Sequence, residues 1–266
     1  MVSLDLIRAP LFVPANRPER FAKAAASEAD AVILDLEDAV APEAKEAARR
    51  ALRCDFTTKP VLVRINASGT PWHEADLAAV SALPVAGIVL PKAEDAAVVD
   101  ALCRQLGARV PVLALIETAR GLAEARRLAA LPGVARLIFG SIDFCADLGC
   151  AHERDILLPA RSELVLASRL AGRPGPVDGV TARLDDPDET RGDAEHARAL
   201  GMTGKLCIHP RQVPEVLRGF APTDREIDWA RRVLASGEGA VALDGAMIDD
   251  PVRLRARHIL ATARPA

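Results

Sequence analysis

Apolar, β-branched runs alternate along this chain with stretches whose apolar positions fall at helical spacing. Eight such runs stand out: RAPLFVP from Arg8, AVILDLE from Ala31, PVLVRIN from Pro60, GIVLPK from Gly87, PVLALIE from Pro111, RLIFGS from Arg136, VDGVTA from Val177 and GKLCIHP from Gly204. They are nearly continuous rather than strictly alternating, which is the pattern of strands covered on both faces in a parallel sheet. Between them lie RPERFAKAAASE, APEAKEAARRAL, TARGLAEARRLAAL and PDETRGDAEHARAL. In the third, Leu122, Ala125 and Ala129 share a helical face, while Glu124, Arg126 and Arg127 point away. Pro42 with Glu43, and Asp186 with Pro187, are residues suited to first turns. Eight strand–helix alternations predict an α/β fold of the (β/α)8 TIM-barrel type, with an open doubly wound sheet as the alternative.

The pattern changes after the eighth run. A helix-like DREIDWARRVLAS, a glycine-rich GEGAVALDGAMIDDP and an amphipathic RLRARHILATA follow. Residues 1–221 are therefore expected to form the barrel, and residues 222–266 a helical extension long enough to act as a lid or an arm.

Barrel enzymes carry their chemistry at the C-terminal ends of the strands. Here the second run ends in Asp35, Glu37 and Asp38, the third in Arg64 and Asn66, and the fourth in Lys92. The fifth ends in Glu117, the sixth is followed by Asp143, and the eighth ends in His209. One such residue often only caps a helix or pairs with a neighbour, Glu117 with Arg120 for instance. Charge concentrated on one rim must be balanced by a ligand, an ion or mutual pairing. Glu117 and Asp143, from adjacent strands, can converge on one point, and two hard oxygen donors without Cys or His suit Mg²⁺, with Mn²⁺ possible. Arg64 can grip a carboxylate or an enolate with its planar fork, and Glu37 can hold it in place. Lys92 raises the rival chemistry of a Schiff-base lysine, which the surrounding acids oppose by keeping it protonated.

Composition narrows the field. With 34 basic and 37 acidic residues and 3% aromatics, no field or stacking surface for nucleic acid is expected. The longest uncharged stretch, Leu77 to Pro91, is too short for a membrane span. The N-terminus, MVSLDLIRAP, lacks a secretory pattern, so the expected location is the cytoplasm. Five scattered cysteines point to reduced thiols, with Cys145 near the expected site as the one candidate for reactivity.

The stretches LFVPANRPERFAKA, AVILDLEDAV, LVRIN, GIVLPKAE, LALIETARG, LIFGSIDFCADLG, GKLCIHPRQV and DGAMIDDP resemble the citrate lyase β-subunit-like group of the HpcH/HpaI aldolase superfamily, from about residue 8 to residue 260. The resemblance implies a phosphoenolpyruvate/pyruvate-type barrel and a Mg²⁺-dependent lyase acting on 3-hydroxyacyl thioesters: citramalyl-CoA, malyl-CoA, or citryl on an acyl carrier. By motif it implies Glu117 and Asp143 as metal ligands, Arg64 as the binder of substrate and enolate, and Asp249 as the acid/base. It implies Arg17, Arg20 and Lys23 as the contact for the CoA phosphates, a segment that otherwise reads as a solvated helix face. It also implies a homotrimer or a multiple of trimers, in which Asp249 reaches a neighbouring subunit. The catalytic candidates are thus Asp249, Arg64 and Glu37, and the substrate-binding ones Arg64, Lys92 and Asp35. A carrier-dependent β subunit, a malyl-CoA thioesterase and a non-catalytic CoA-binding scaffold are the alternatives. Two departures stand out: Ala15 occupies a position where relatives often have glycine, and the tail ends soon after DGAMIDDP.

Overall fold

Side chains of a strand alternate between faces, and this alternation sorts the apolar runs into an inner and an outer set. The computed structural model describes residues 4–237, 241–243 and 245–263. Its strands are β1 (Pro10–Pro14), β2 (Ala31–Asp35), β3 (Val61–Arg64), β4 (Gly87–Leu90), β5 (Val112–Ile116), β6 (Val134–Phe139), β7 (Val177–Asp178) and β8 (Gly204–Lys205). They pair in sequence order, all parallel. A parallel bridge between Leu11 and Cys207 joins the last run to the first, with Phe12 N–H donating to Cys207 O at 2.9 Å and Cys207 N–H to Pro10 O at 2.9 Å. The sheet therefore closes into a (β/α)8 barrel, as the alternation predicts, and the open sheet is set aside.

Ala31 and Ile33, Leu62, Val89, Leu113 and Leu115, Ile138, Val177 and Leu206 form the buried barrel interior. Residues of the opposite parity, such as Val32, Leu34, Val63, Ile88 and Ala114, are equally buried, so both faces are covered and the runs read as continuously apolar. The helices α1 (Phe21–Ala25), α2 (Lys45–Ala51), α3 (His73–Ser81), α4 (Ala96–Leu106), α5 (Ala119–Ala130), α6 (Ser141–Leu148), α7 (Arg154–Leu170), α8 (Pro187–Leu200) and α9 (Gln212–Phe220) follow in turn. Asp95, Thr118 and Asp186 cap α4, α5 and α8 by accepting backbone N–H groups of the first turn. On α5 the buried face is Gly121, Ala125, Leu128 and Ala129, one position off the predicted stripe, with Leu122 half-buried.

The base of the barrel is held by Arg136, which has no exposed surface. Its guanidinium donates to Gly175 O (2.8 Å), Leu4 O (3.0 Å), Ile7 O (2.7 Å) and Thr203 Oγ1 (2.7 Å), tying β6 to the segments that precede β1, β7 and β8. Burial lowers its pKa to about 10. Cys145 is buried, and burial with the nearby Cys150 pushes its thiol up to about 11, which does not suit a reactive thiolate.

The chain divides into two compact units, residues 1–217 and 218–266. In the second, α10 (Asp224–Ala235) and α11 (Asp250–Thr262) flank an antiparallel hairpin of β9 (Val241–Leu243) and β10 (Ala246–Ile248). Ala230, Val233, Ile248, Ala256 and Ile259 form its core. The glycine-rich stretch is thus a hairpin between helices rather than loop alone. Asp244, the first residue of DGAMIDDP, lies outside the described residues. Among the described residues no helix is long and apolar enough to cross a membrane.

Replacing Arg136 with Met removes four hydrogen bonds at the base of the barrel, and a loss of about 3 kcal/mol in unfolding free energy is expected. Urea titration of the variant checks this; an unchanged midpoint would show that Arg136 does not hold the base.

Candidate active site

The same parity that fills the barrel carries on into its mouth. Ile33 is followed on its face by Asp35, Leu62 by Arg64, Leu115 by Glu117, Ile138 by Gly140 and Leu206 by Ile208. Asp35, Arg64, Glu117, Gly140 and Ile208 line a cavity of about 400 Å³ with Phe12, Pro14, Asp38, Ser141 and Asp143. Of the strand-end residues predicted from sequence, Asp35, Asp38, Arg64, Glu117 and Asp143 therefore converge on one cavity, with Asp143 placed in the first turn of α6.

Asp35 and Arg64 are register partners on β2 and β3. Arg64 Nε donates to Asp35 Oδ1 at 2.7 Å and Nη2 to Asp35 Oδ2 at 2.6 Å, a bidentate fork. Asp35 also accepts the Glu37 and Ala39 N–H groups, which fixes the turn after β2. Nη1 of Arg64 lies 3.1 Å from Glu37 and 3.3 Å from Asp38, and the guanidinium sits 4.9 Å from the Phe12 ring centre. Burial opposes its charge, but the three carboxylates outweigh burial and raise its pKa well above the ordinary arginine range. Glu37 braces Arg64 as expected, yet Asp35 is the principal partner.

Lys92 adopts a left-handed backbone (φ 47°) that turns its N–H onto Glu117 Oε1 at 2.8 Å. Its ammonium lies 3.1 Å from Glu37 and 3.8 Å from Glu117. Burial disfavours its charge, but Glu37 and Glu117 prevail and raise its pKa, which argues against a Schiff-base nucleophile. Glu117 pairs with Lys92 rather than with Arg120. It is 1% exposed, and burial, with Glu37 and Asp143 nearby, pushes its pKa up to about 8. Burial also raises that of Glu37. A Cβ on Gly140 would stand 2.4 Å from Glu117 Cβ and 2.7 Å from Oε2, so the glycine leaves room for the carboxylate.

Ionisation of Glu117 is thus only partly supported by Lys92, and a second carboxylate, Asp143, lines the same open cavity. That donor set fits a hard divalent cation, with water and substrate oxygens completing the coordination. Among the described residues no cluster of three or more His, Cys, Asp and Glu could hold a metal by itself.

Other candidates lie elsewhere. Asn66 is buried beneath the rim, where it accepts from Lys45 Nζ at 2.7 Å and donates to Asp76 and Leu36 O. Lys45 donates onward to Leu36 O and Glu37 O, supporting the acidic turn from behind. Sequence reading missed Lys45 and Asp76, since nothing local distinguishes a buried lysine on an amphipathic helix. It also passed over Gly140 and Ser141, whose signal is their place between β6 and Asp143. Arg17, Arg20 and Lys23 are exposed, Arg17 pairing with Glu19 at 2.5 Å. Lys23 is close enough to His209, with Arg211, to add to burial in depressing its pKa, so this basic segment adjoins the end of the eighth run. Asp249 belongs to the second unit, where it caps α11 by accepting the Val252 N–H.

Two outcomes are expected of this geometry. Gly140→Ala should overpack Glu117 and cost about 1–3 kcal/mol, read from denaturant unfolding. The folded Glu117 pKa of about 8 lies above its ordinary 4.5, so its neutral form stabilises the metal-free fold at low pH. That contribution is lost as pH rises from 4.5 through 8. Thermal unfolding in EDTA should decline across this window, and Glu117→Gln should flatten the decline; an equal slope in the variant would remove the assignment.

Residues 8–210 match the model of the HpcH/HpaI aldolase/citrate lyase family. A citrate lyase subunit beta-like protein of Mycobacterium tuberculosis is 42% identical over 268 residues, covering 96% of this chain and 95% of that protein. A (3S)-malyl-CoA thioesterase of Cereibacter sphaeroides is 33% identical over 269 residues, covering 96% and 94%. An L-malyl-CoA/beta-methylmalyl-CoA lyase of the same species is 35% identical over 288 residues, covering 91% and 90%. The crystal structure of protein CitE from Mycobacterium tuberculosis, in complex with magnesium, acetoacetate and coenzyme A, superposes with a TM-score of 0.88 at 41% identity, covering 98% of this chain and 99% of that one. The chain belongs to the HpcH/HpaI aldolase/citrate lyase family.

Proposed function

We propose that this protein is a Mg²⁺-dependent carbon–carbon lyase that cleaves a 3-hydroxyacyl-CoA, citramalyl-CoA or malyl-CoA, to a 2-oxoacid and acetyl-CoA. The observation that carries this reading is the meeting, in one cavity, of a forked guanidinium with two carboxylates free to hold a cation. The magnesium and coenzyme A bound by the mycobacterial CitE, and the malyl-CoA chemistry of the two Cereibacter relatives, support it.

Glu117 and Asp143 are the metal ligands on this reading, and bound magnesium supplies Lewis-acid polarisation of the substrate's oxygens. Arg64, pinned by Asp35 and braced by Glu37, presents a fixed positive charge to the enolate that forms as the bond breaks. Because its fork is already oriented, no reorganisation is needed at the moment of charge development. Lys92 and Asp35 set the polar edge that receives the substrate. The basic segment of Arg17, Arg20 and Lys23 meets the CoA phosphates. Asp249 protonates the enolate carbon from a neighbouring subunit of a trimer, and in reverse takes a proton from acetyl-CoA. The location of such a protein is the cytoplasm.

A second reading, thioester hydrolysis, is favoured by the likeness to the malyl-CoA thioesterase. Assaying oxoacid and free thiol separately, with Mg²⁺ and with EDTA, distinguishes the two. The lyase yields oxoacid that requires the metal, whereas thiol without oxoacid would mean hydrolysis. Arg64→Lys keeps the charge but loses the fork, and Asp249→Asn keeps the helix cap but loses the acid. Each is expected to fold normally and to lose about 10²- to 10³-fold in kcat. Near-normal turnover in either variant would remove that residue from the mechanism.

A further inference from the structure

The cleavage direction requires a base for the substrate hydroxyl, and the acids of the mouth are otherwise engaged. Asp35 is committed to Arg64 and the turn after β2, Asp38 to Arg64, Glu37 to Arg64 and Lys92, and Glu117 and Asp143 to the metal on the reading above. Ser141 offers another exit for the proton. It is 1% exposed, yet it lines the catalytic cavity. Gly179, the residue just past the end of β7, is two positions on from the inward-facing Val177, and a Cβ there would lie 2.1 Å from Ser141 Oγ. The hydroxyl therefore fills the space of a side chain missing just past β7 at the barrel mouth. On its other side it meets His152, whose Nε2 lies 2.8 Å from Oγ. His152 lines a second cavity of about 420 Å³ with Arg154, Arg161 and Asp193, outside the barrel wall.

We propose that Ser141 and His152 relay the substrate's hydroxyl proton from the catalytic cavity to the second one, an inference that rests on the lyase reading. The substrate O–H gives its proton to Ser141 Oγ as Ser141 gives its own to His152 Nε2. The O–H electron pair becomes the carbonyl of the 2-oxoacid, and the C–C electrons pass into the thioester enolate. The imidazolium then loses its proton to solvent. The ring's surroundings favour the neutral base that this needs. Burial, Lys205 of β8 and Arg161 of α7 lower its pKa, against the opposing pull of Asp193 on α8 and Asp178 on β7.

The test uses the Mg²⁺-loaded protein with both thioesters. Ser141→Ala and His152→Gln should lower kcat about 10²-fold with KM nearly unchanged. The acid limb of the kcat–pH profile should vanish in His152→Gln, and free imidazole should restore turnover to His152→Ala but not to Ser141→Ala. In the metal-free protein, ¹⁵N NMR at pH 7 should find Nε2 of His152 unprotonated. A protonated Nε2, or a His152→Gln variant with wild-type kcat and an intact acid limb, would overturn the relay and leave the lyase standing. Wild-type protein that releases no oxoacid from either thioester would overturn the lyase reading, and the relay with it.

Discussion

The mouth of the barrel is organised by one constraint: a buried arginine that cannot give up its charge. Arg64 is held by Asp35 through two short bonds, and Glu37 and Asp38 close on the same guanidinium. A buried ion pair is seldom strongly stabilising in itself, because desolvation offsets the attraction. Its value here is orientation. With both oxygens of Asp35 engaged by arginine and backbone, neither group can rotate independently, and the turn carrying Glu37 is fixed in the same act.

From that pair the electrostatics spread outward. Five carboxylates, Asp35, Glu37, Asp38, Glu117 and Asp143, face two cations, Arg64 and Lys92, so the site is short of positive charge. Burial is the main reason the pKa values of Glu117 and Glu37 are raised, and for Glu117 the neighbouring carboxylates add to it. On the proposed reading, a divalent cation at Glu117 and Asp143 would relieve the shortage beside a deeply buried acid. With that charge offset, Arg64 and Lys92 would be the cations left to receive an anionic substrate on the same reading.

Much of this was legible in the sequence because the barrel obeys a period of two. A reader who places Leu62 inside must place Arg64 inside as well, and the same step leads from Leu115 to Glu117. Legibility ended where contacts are long-range or side chains are small. Nothing near Lys45 reveals that its ammonium reaches Asn66, and nothing near Gly140 reveals the carboxylate that would occupy its Cβ position. α7 shows a related limit: its buried face includes Arg161, which pairs with Asp178, so an apolar stripe understates how much of the helix is inside. The β9–β10 hairpin was not foreseen in the helical extension, because three-residue strands leave almost no periodicity to find.

The two shortest strands say something about how the chain assembles. β7 and β8 are two residues each, and what joins them is in large part charge: Lys205 lies 3.1 Å from Asp178, and Arg161 reaches the same carboxylate at 2.8 Å. The seam they form is sealed by Cys207 against β1 and, at the base, by Arg136 bonding Leu4 across 132 residues of chain. During synthesis the first strand therefore emerges long before its eighth-strand partner exists. β2 can cover one of its edges early, but the other stays exposed until most of the chain has been made. That edge opens with a proline, Pro10, which has no N–H to offer a foreign strand.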